Sequence, residues 1–532
     1  MNKVQKKYDF IVIGGGSSGC VVAARLSENK NIRVLLLEAG KKDTNWKLKV
    51  PAAFFKTFKT SLDWDYETIA QPFLNNRKLY VPRGKVLGGS GSINAMIYIR
   101  GHKEDYNEWA AEGNTNWSYE KVLPFFKKAE NNKDLNGENI GKNGPLQVCN
   151  LSDPNELTYK YLEAAQANGL KNVDNFNTGC EQECSGIFQC TQLNGVRSSP
   201  SKAYLQPIKN RENLTILTGA KVLKILIENK KAVGVKVALK NGIQEFFAEK
   251  EIVLSAGAFN SPQILMLSGI GGGNTLKNLG IECIHDLPAV GQHLQDHPVV
   301  PLIYRCNKNI TLDTAENLSN FLKYIFYRKG ALTSILAEGG GYWRTDKNLA
   351  APDIQYHFGP VFFVNHGFTR PPGNGFSLGT ILVKPKSRGN VALKSSDPDE
   401  KPLINPNIFA DETDLEKLTA GFSLSQKIMN AEPLKPYKQA YFMPEKELTD
   451  IDEIKEYIKA NTEALYHPVG SCRMGTEETG VTNQELKVYG IENLRVVDAS
   501  VMPSVTRGNT NAPSIMIGEK GADIIKKQWK IQ

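Results

Sequence analysis

In the stretch Asp9-Phe10-Ile11-Val12-Ile13-Gly14-Gly15-Gly16-Ser17-Ser18-Gly19, an apolar run gives way abruptly to glycine and serine. Asp9 to Ile13 has no polar alternation, as expected of a parallel strand covered on both faces. Gly14, Gly16 and Gly19 follow with the spacing of a dinucleotide fingerprint. Such a turn lets a pyrophosphate approach backbone N–H groups at a helix N-terminus with no side chain in the way. Cys20 to Leu26 then reads as the helix, and Ile32 to Leu37 as a second buried strand. Glu38 ends that strand, 19 residues after Gly19. A carboxylate there can accept hydrogen bonds from ribose hydroxyls. The motif alone does not separate FAD from NAD.

Working outward, Trp109 to Asn131 reads as helical. Leu214 to Ala256 reads as antiparallel strands, with turns at Asn229-Lys230 and Asn241-Gly242, ending in a buried strand Ile252 to Ser255. Phe259 to Leu267 and Pro513 to Lys526 read as helices, and Leu494 to Val497 as one more buried strand. Buried parallel strands thus occur both early and late, so the chain leaves the nucleotide-binding part and returns to it. A length of 532 residues exceeds what one core usually supports, so two domains are expected.

The formal net charge is +9, with basic residues scattered rather than gathered in an arm. That balance suits an anionic surface or ligand and gives no footprint for nucleic acid. Of the eight cysteines, Cys180, Cys184 and Cys190 cluster without a histidine pair nearby, and free thiols in a loop are expected there, with no metal site. The N-terminus is polar, lysine-rich and soon interrupted by Gly14, so neither a signal peptide nor a spanning helix is expected.

A second glycine loop, Pro82-Arg83-Gly84-Lys85-Val86-Leu87-Gly88-Gly89-Ser90-Gly91-Ser92-Ile93-Asn94, lets backbone approach a flat or phosphate-bearing ligand. This stretch resembles the first signature of the glucose–methanol–choline oxidoreductases. Gly257 to Gly271 resembles the second. Val290-Gly291-Gln292-His293-Leu294-Gln295-Asp296-His297, His467-Pro468-Val469-Gly470-Ser471-Cys472-Arg473-Met474-Gly475 and Gly508-Asn509-Thr510-Asn511-Ala512-Pro513 agree in the same order. The resemblance runs from Tyr8 to the last helix.

The resemblance implies an α/β fold. A Rossmann-type FAD-binding domain (residues 1–155, 195–300 and 462–532) interleaves with a substrate-binding α+β domain on an antiparallel sheet (156–194 and 301–461). It implies that Gly14, Gly16, Ser17, Ser18, Gly19, Glu38 and Ala39 hold the adenosine diphosphate half of FAD. Arg83, Gly88, Gly89, Ser90, Asn94 and Ala95 lie along the pyrophosphate and isoalloxazine, and Val222 and Ala256 beside the nucleotide. Asp498, Ala499, Asn511 and Pro513 flank the flavin from the C-terminal end. His467 is the implied catalytic base and Asn511 its partner. A histidine can take the proton of an alcohol, and an asparagine N–H can hold the oxygen as charge develops, while hydride passes to flavin N5.

Ile93 occupies the place where some family oxidases carry a flavin-bonded histidine, so non-covalent FAD is expected. The segment Ala464 to Gly470 is most like bacterial dehydrogenases of aliphatic alcohols, with choline dehydrogenases next. That implies oxidation of a primary alcohol to an aldehyde, with electrons passed to a quinone or other acceptor. It also implies a cytoplasmic protein, peripheral at the inner membrane. Glu338 would meet a choline head group in the choline reading, and Tyr466 would line the substrate pocket. A lyase or decarboxylase on the same fold is the remaining alternative. For membrane contact the sequence offers Phe54 to Trp64 and Phe321 to Lys329, which read equally as lids over the substrate cavity. His293 and His297 are expected to be structural.

Overall fold

The strand β1 (Lys7–Ile13), the helix α1 (Ser17–Leu26) and the strand β2 (Val34–Glu38) form the first unit of the chain. The computed structural model describes residues 7–178 and 183–532. Every residue of β2, and all of β1 after Lys7, is buried, which is why these runs lack polar alternation. β1 pairs in parallel with β2 over Phe10 to Ile13.

Four strands follow after a long excursion: β3 (Leu214–Thr218), β4 (Lys221–Glu228), β5 (Lys231–Leu239) and β6 (Gly242–Leu254). The sheet order is β3-β2-β1-β6-β5-β4. β3 is parallel to β2, which corrects the antiparallel reading of that strand. The remaining three make the expected hairpins, the first turning at Asn229 and Lys230, both with positive φ. β6 is long enough to serve two neighbours. Its first half pairs antiparallel with β5, and its second half runs parallel to β1. The helix α2 (Gly257–Leu267) follows β6 directly. The strand β7 (Leu494–Val496) returns to lie parallel beside β6, and the helix α3 (Asn511–Gln528) packs against α1.

A second sheet is antiparallel at its centre, in the spatial order 438–443, 298–306, 374–382, 354–359, 339–343 and 184–187. Its own core gathers Tyr304, Tyr356, Phe358 and Phe376 with the helix residues Leu418 and Phe422.

Two local readings need correction. Trp109 to Asn131 is not one helix but two, Lys103–Ala111 and Tyr119–Ala129. Gly113, at φ +96°, and the short turn Thr115–Trp117 separate them. Cys184 is disulfide-bonded rather than a free thiol. Cys190 is free and buried, and Cys180 lies outside the described residues.

Candidate active site

A single cavity of about 540 Å³ is lined from both sheets and holds most of the predicted site residues. At one end, Gly14, Gly16, Ser17 and Ser18 come from the first turn, Glu38 and Ala39 from the tip of β2, and Val222 from β4. Gly16 is the open member of this turn: a Cβ there would approach nothing closer than Ser255 O at 3.9 Å. Gly19 is a packing glycine instead, since a Cβ would lie 1.9 Å from Gly14 O. Neither α1 nor α3 has a side-chain cap at its N-terminus, and Ser17, Ser18, Asn511 and Ser514 bring both ends to the cavity. Two helix ends with unsatisfied N–H groups favour a negatively charged ligand.

Glu38 sits at the end of this groove. Its carboxylate accepts from Gly15 N at 2.8 Å and Gly40 N at 2.7 Å. Burial pushes its pKa up to about 7, against the pull of those N–H groups. The second glycine loop lies against the first, with Gly88 N–H donating to Gly15 O at 2.7 Å. Arg83, Gly89, Ser90, Ile93, Asn94 and Ala95 line the cavity, as do Ala256, Asp498 and Ala499. Gly19, Gly88 and Pro513 are not among the residues that line it. Asp498 also ties β7 to α2, accepting from Gly257 N at 2.8 Å and Ser261 Oγ at 2.6 Å. A buried carboxylate at a helix N-terminus complements the helix dipole.

At the other end stands His467. Three distant stretches are stitched together to hold it. Gln295 and Val469 exchange backbone hydrogen bonds at 3.0 Å, and Leu465 N donates to His297 O at 2.9 Å. The Gln295 side chain reaches on, donating to Pro503 O at 3.1 Å and accepting from Val505 N at 3.1 Å. Asp296 accepts from His467 N at 2.7 Å, and burial pushes its pKa up to about 7. Arg507 pairs with buried Asp105 and with Glu108, which fixes the backbone just before Gly508.

The outcome differs from the expected pair. The asparagine that meets His467 is Asn509, with its Nδ2 3.2 Å from His467 Nε2. Asn511 opens α3, and its Oδ1 accepts from Ser17 Oγ at 2.7 Å, so it binds the two helix ends together. The reason is helical geometry. Asn511 is already in the first turn of α3, while Asn509 lies before the cap residue Thr510, outside the helix. On the other side, His297 Nδ1 lies 3.1 Å from His467 Nδ1. With Asn509 N–H aimed at Nε2, the Nδ1 proton of His467 points to His297 and Nε2 keeps its lone pair. Burial, and then His297 and His357, hold the His467 pKa well below the ordinary histidine value. The ring is therefore neutral at neutral pH and able to accept a proton.

Beyond this pair the wall is mainly apolar: Phe54, Phe58, Ile93, Leu336, Val361 and Phe363, with Tyr466. Tyr466 also contacts His366 Nδ1, and its backbone carbonyl accepts from Arg83. Glu338 does not line the cavity. Its carboxylate accepts from Asn155 N, Thr158 Oγ1 and Ser334 Oγ, each at 2.7 Å. It is fully buried and anchors the start of the helix Glu156–Ala167, so its proposed contact with a cationic head group is corrected.

His366 and Asn509 are the site residues that sequence reasoning passed over, and His297, expected to be structural, lies against His467. Asn509 and His297 both stood inside quoted motifs, where their types gave a signal that their spacing did not resolve. His366 stands 100 residues from Tyr466, and only the fold brings them together.

A sheet whose parallel strands open on glycine turns, joined through one cavity to a buried histidine and an amide, is the arrangement of an oxidoreductase. GMC oxidoreductase family patterns match residues 8–299 and 385–518. The chain is 41% identical over 530 residues to "Alcohol dehydrogenase [acceptor]" of Pseudomonas putida, covering 98% of this chain and 96% of that protein. It is 39% identical to "Oxygen-dependent choline dehydrogenase" of Vibrio vulnificus, covering 98% and 95%. Among solved structures, pyridoxine 4-oxidase from Mesorbium loti superposes with a TM-score of 0.89 at 31% identity, covering 99% of both chains. The chain belongs to the GMC oxidoreductase family and is an FAD-dependent oxidoreductase acting on CH–OH donors.

Proposed function

We propose that the chain oxidises a primary alcohol with an apolar tail to the aldehyde, with His467 as base and Asn509 holding the oxygen. When bound, FAD supplies the hydride acceptor at N5. An alcohol oxygen seated against both His467 Nε2 and the Asn509 amide, in place of their mutual contact, gives its proton to Nε2 as charge builds on oxygen. The amide N–H then stabilises that charge in a site sheltered from water. In this reading residues 1–155, 195–300 and 462–532 hold FAD, and 156–194 and 301–461 close over the alcohol. The uncapped N-termini of α1 and α3 suit its pyrophosphate, and Ile93 offers no atom for a covalent bond to the flavin.

The observation that carries the reading is the His467–Asn509 pair at the head of a mainly apolar wall. Choline is the weaker substrate in this reading because Glu338 is spent on a helix end. The test is anaerobic addition of linear primary alcohols, choline and a sugar to the yellow holoprotein. Bleaching by the linear alcohols at the lowest concentration is expected. Bleaching by choline alone, or by none, would overturn the assignment.

We further propose that a quinone takes the electrons and that the protein meets the cytoplasmic face of a membrane peripherally. No helix among the described residues is long and apolar enough to cross a bilayer. The two candidate segments part company. Phe54, Phe58 and Trp64 face the cavity, as lids do. The helix Leu318–Tyr327 instead exposes Leu318, Phe321, Leu322, Ile325, Phe326 and Tyr327, with Arg328 and Lys329 beyond its end. An exposed apolar face beside basic residues suits an anionic bilayer surface. Co-sedimentation with anionic vesicles is expected, and its loss in Phe321→Ser/Phe326→Ser. Vesicle binding unchanged in that variant would sink the contact.

A further inference from the structure

Cys149 and Cys190 take no part in the chemistry described above. They sit opposite one another where two short antiparallel stretches meet. Each donates its backbone N–H to the other's carbonyl, at 3.0 and 2.8 Å. Residues that exchange both backbone hydrogen bonds have Cα atoms ~5.5 Å apart, a separation at which disulfides commonly form. Their sulfurs already lie 3.7 Å apart, and both are free thiols. Cys190 is fully buried, whereas Cys149 is partly exposed.

We propose that Cys149 and Cys190 are a reversible dithiol–disulfide site whose reaction partner is a small-molecule disulfide. The Cys149 thiolate attacks one sulfur of that disulfide, forming a mixed disulfide and releasing one thiolate. Cys190, deprotonated in turn, attacks Cys149 sulfur and displaces the second thiolate. The two protein thiols are oxidised, the small disulfide is reduced to two thiols, and the two protons pass to the released thiolates.

The division of labour follows from the surroundings. The hydrogen bond from Cys190 lowers the Cys149 pKa against the effect of burial, and Gln192 N–H helps. The same contact, with burial, raises Cys190. The partly exposed thiol is the easier one to ionise and to reach, and the buried one waits behind it. The bond would also stiffen the backbone that carries the cavity-lining Met96. The residues flanking Cys190 hydrogen-bond to the cavity strip, Thr191 N to Met96 O and Tyr98 N to Gln189 O, each at 2.9 Å.

The experiment treats the holoprotein with oxidised glutathione, blocks remaining thiols, and maps peptides by mass spectrometry without reduction. The expected result is a Cys149–Cys190 linkage that dithiothreitol reverses. In Cys190→Ser, glutathione should stay trapped on Cys149. In Cys149→Ser, Cys190 should remain unmodified, with exposed Cys283 as the internal control for reagent access. A glutathione adduct persisting on Cys149 of the unaltered protein would overturn the proposal. So would a linkage of Cys149 to Cys184, or an unreacted Cys149 while Cys283 reacts. The mapping of the unaltered protein stands even if a serine variant does not fold.

Discussion

The two ends of the cavity are built by different means. The nucleotide end is mostly backbone: glycine turns, helix N-termini and strand tips, of which the first come from one strand–helix–strand unit and the others from the second glycine loop, β4 and the start of α3. The substrate end is mostly side chains, delivered by the stretches 293–297, 465–470 and 503–511 and joined by hydrogen bonds such as those of Gln295. Backbone sites are specified by residue order. Side-chain sites are specified by which distant segments the fold places side by side. The first kind should tolerate little change in shape, and the second little change in chemistry.

The sharpest way to break this comparison is to remove the base. His467→Ala should slow flavin reduction by alcohol roughly 10³-fold while the protein stays yellow, because the base acts at the far end from the nucleotide turn. Stopped-flow reduction and the visible spectrum read the two effects separately. A variant that loses flavin and rate together would show that the two ends are not separable. Next in size is the choice between asparagines. Asn509→Ala should cost roughly 10²-fold in reduction rate, as loss of an oxyanion donor does. Asn511→Ala should cost less than about tenfold, since it loses one hydrogen bond to Ser17. The reverse ranking would return Asn511 to the catalytic role.

How much could be read from residue order follows the same division. The turn Gly14 to Gly19, the position of Glu38 at the strand tip and the parallel strands β1 and β2 were legible, because local chemistry and covered faces dictate them. The family's motifs carried the antiparallel sheet and His467. What escaped was set by tertiary geometry. Asn509 and Asn511 are chemically identical, and only the start of α3 separates an amide aimed at His467 from one aimed at Ser17. Leu214–Thr218 looked like its hairpin neighbours, but it is separated from them by Gly219 and pairs back to β2. Glu338 looked like a substrate ligand because choline-acting relatives carry a glutamate in a similar segment, and two of its three partners, Asn155 and Thr158, come from a stretch far away in sequence.

Glu338 therefore offers a third test, expected to be smaller in rate and visible in stability. Glu338→Ala leaves Asn155 N–H and two hydroxyls without their acceptor in a buried place, at a cost of about 3 kcal/mol. A fall in melting temperature is expected, while the preference between linear alcohols and choline stays unchanged. A selective loss of choline turnover with unaltered stability would put Glu338 back at the substrate.

The smallest expected effect is a flat response. A base must be neutral to accept a proton, and burial holds the His467 pKa well below the ordinary histidine value. As pH falls through that ordinary value, His467 stays neutral, so the rate of flavin reduction should hold level and fail only in distinctly acid solution. The same depression makes the unfolded chain the better proton binder. His467 thus contributes stability that is present above the ordinary histidine pKa and lost as pH falls below it. His297 is the second cause of the depression after burial, acting across the 3.1 Å contact between the two Nδ1 atoms. His297 is itself held down to about 3 by burial, so it gains charge only in distinctly acid solution. His297→Gln removes the charge that would appear there, so the acid limb of the rate profile should move to higher pH while the plateau changes little. A limb already at the ordinary histidine pKa in the unaltered protein would mean that His467 is solvated, and the apolar end of the cavity would lose its claim to be dry.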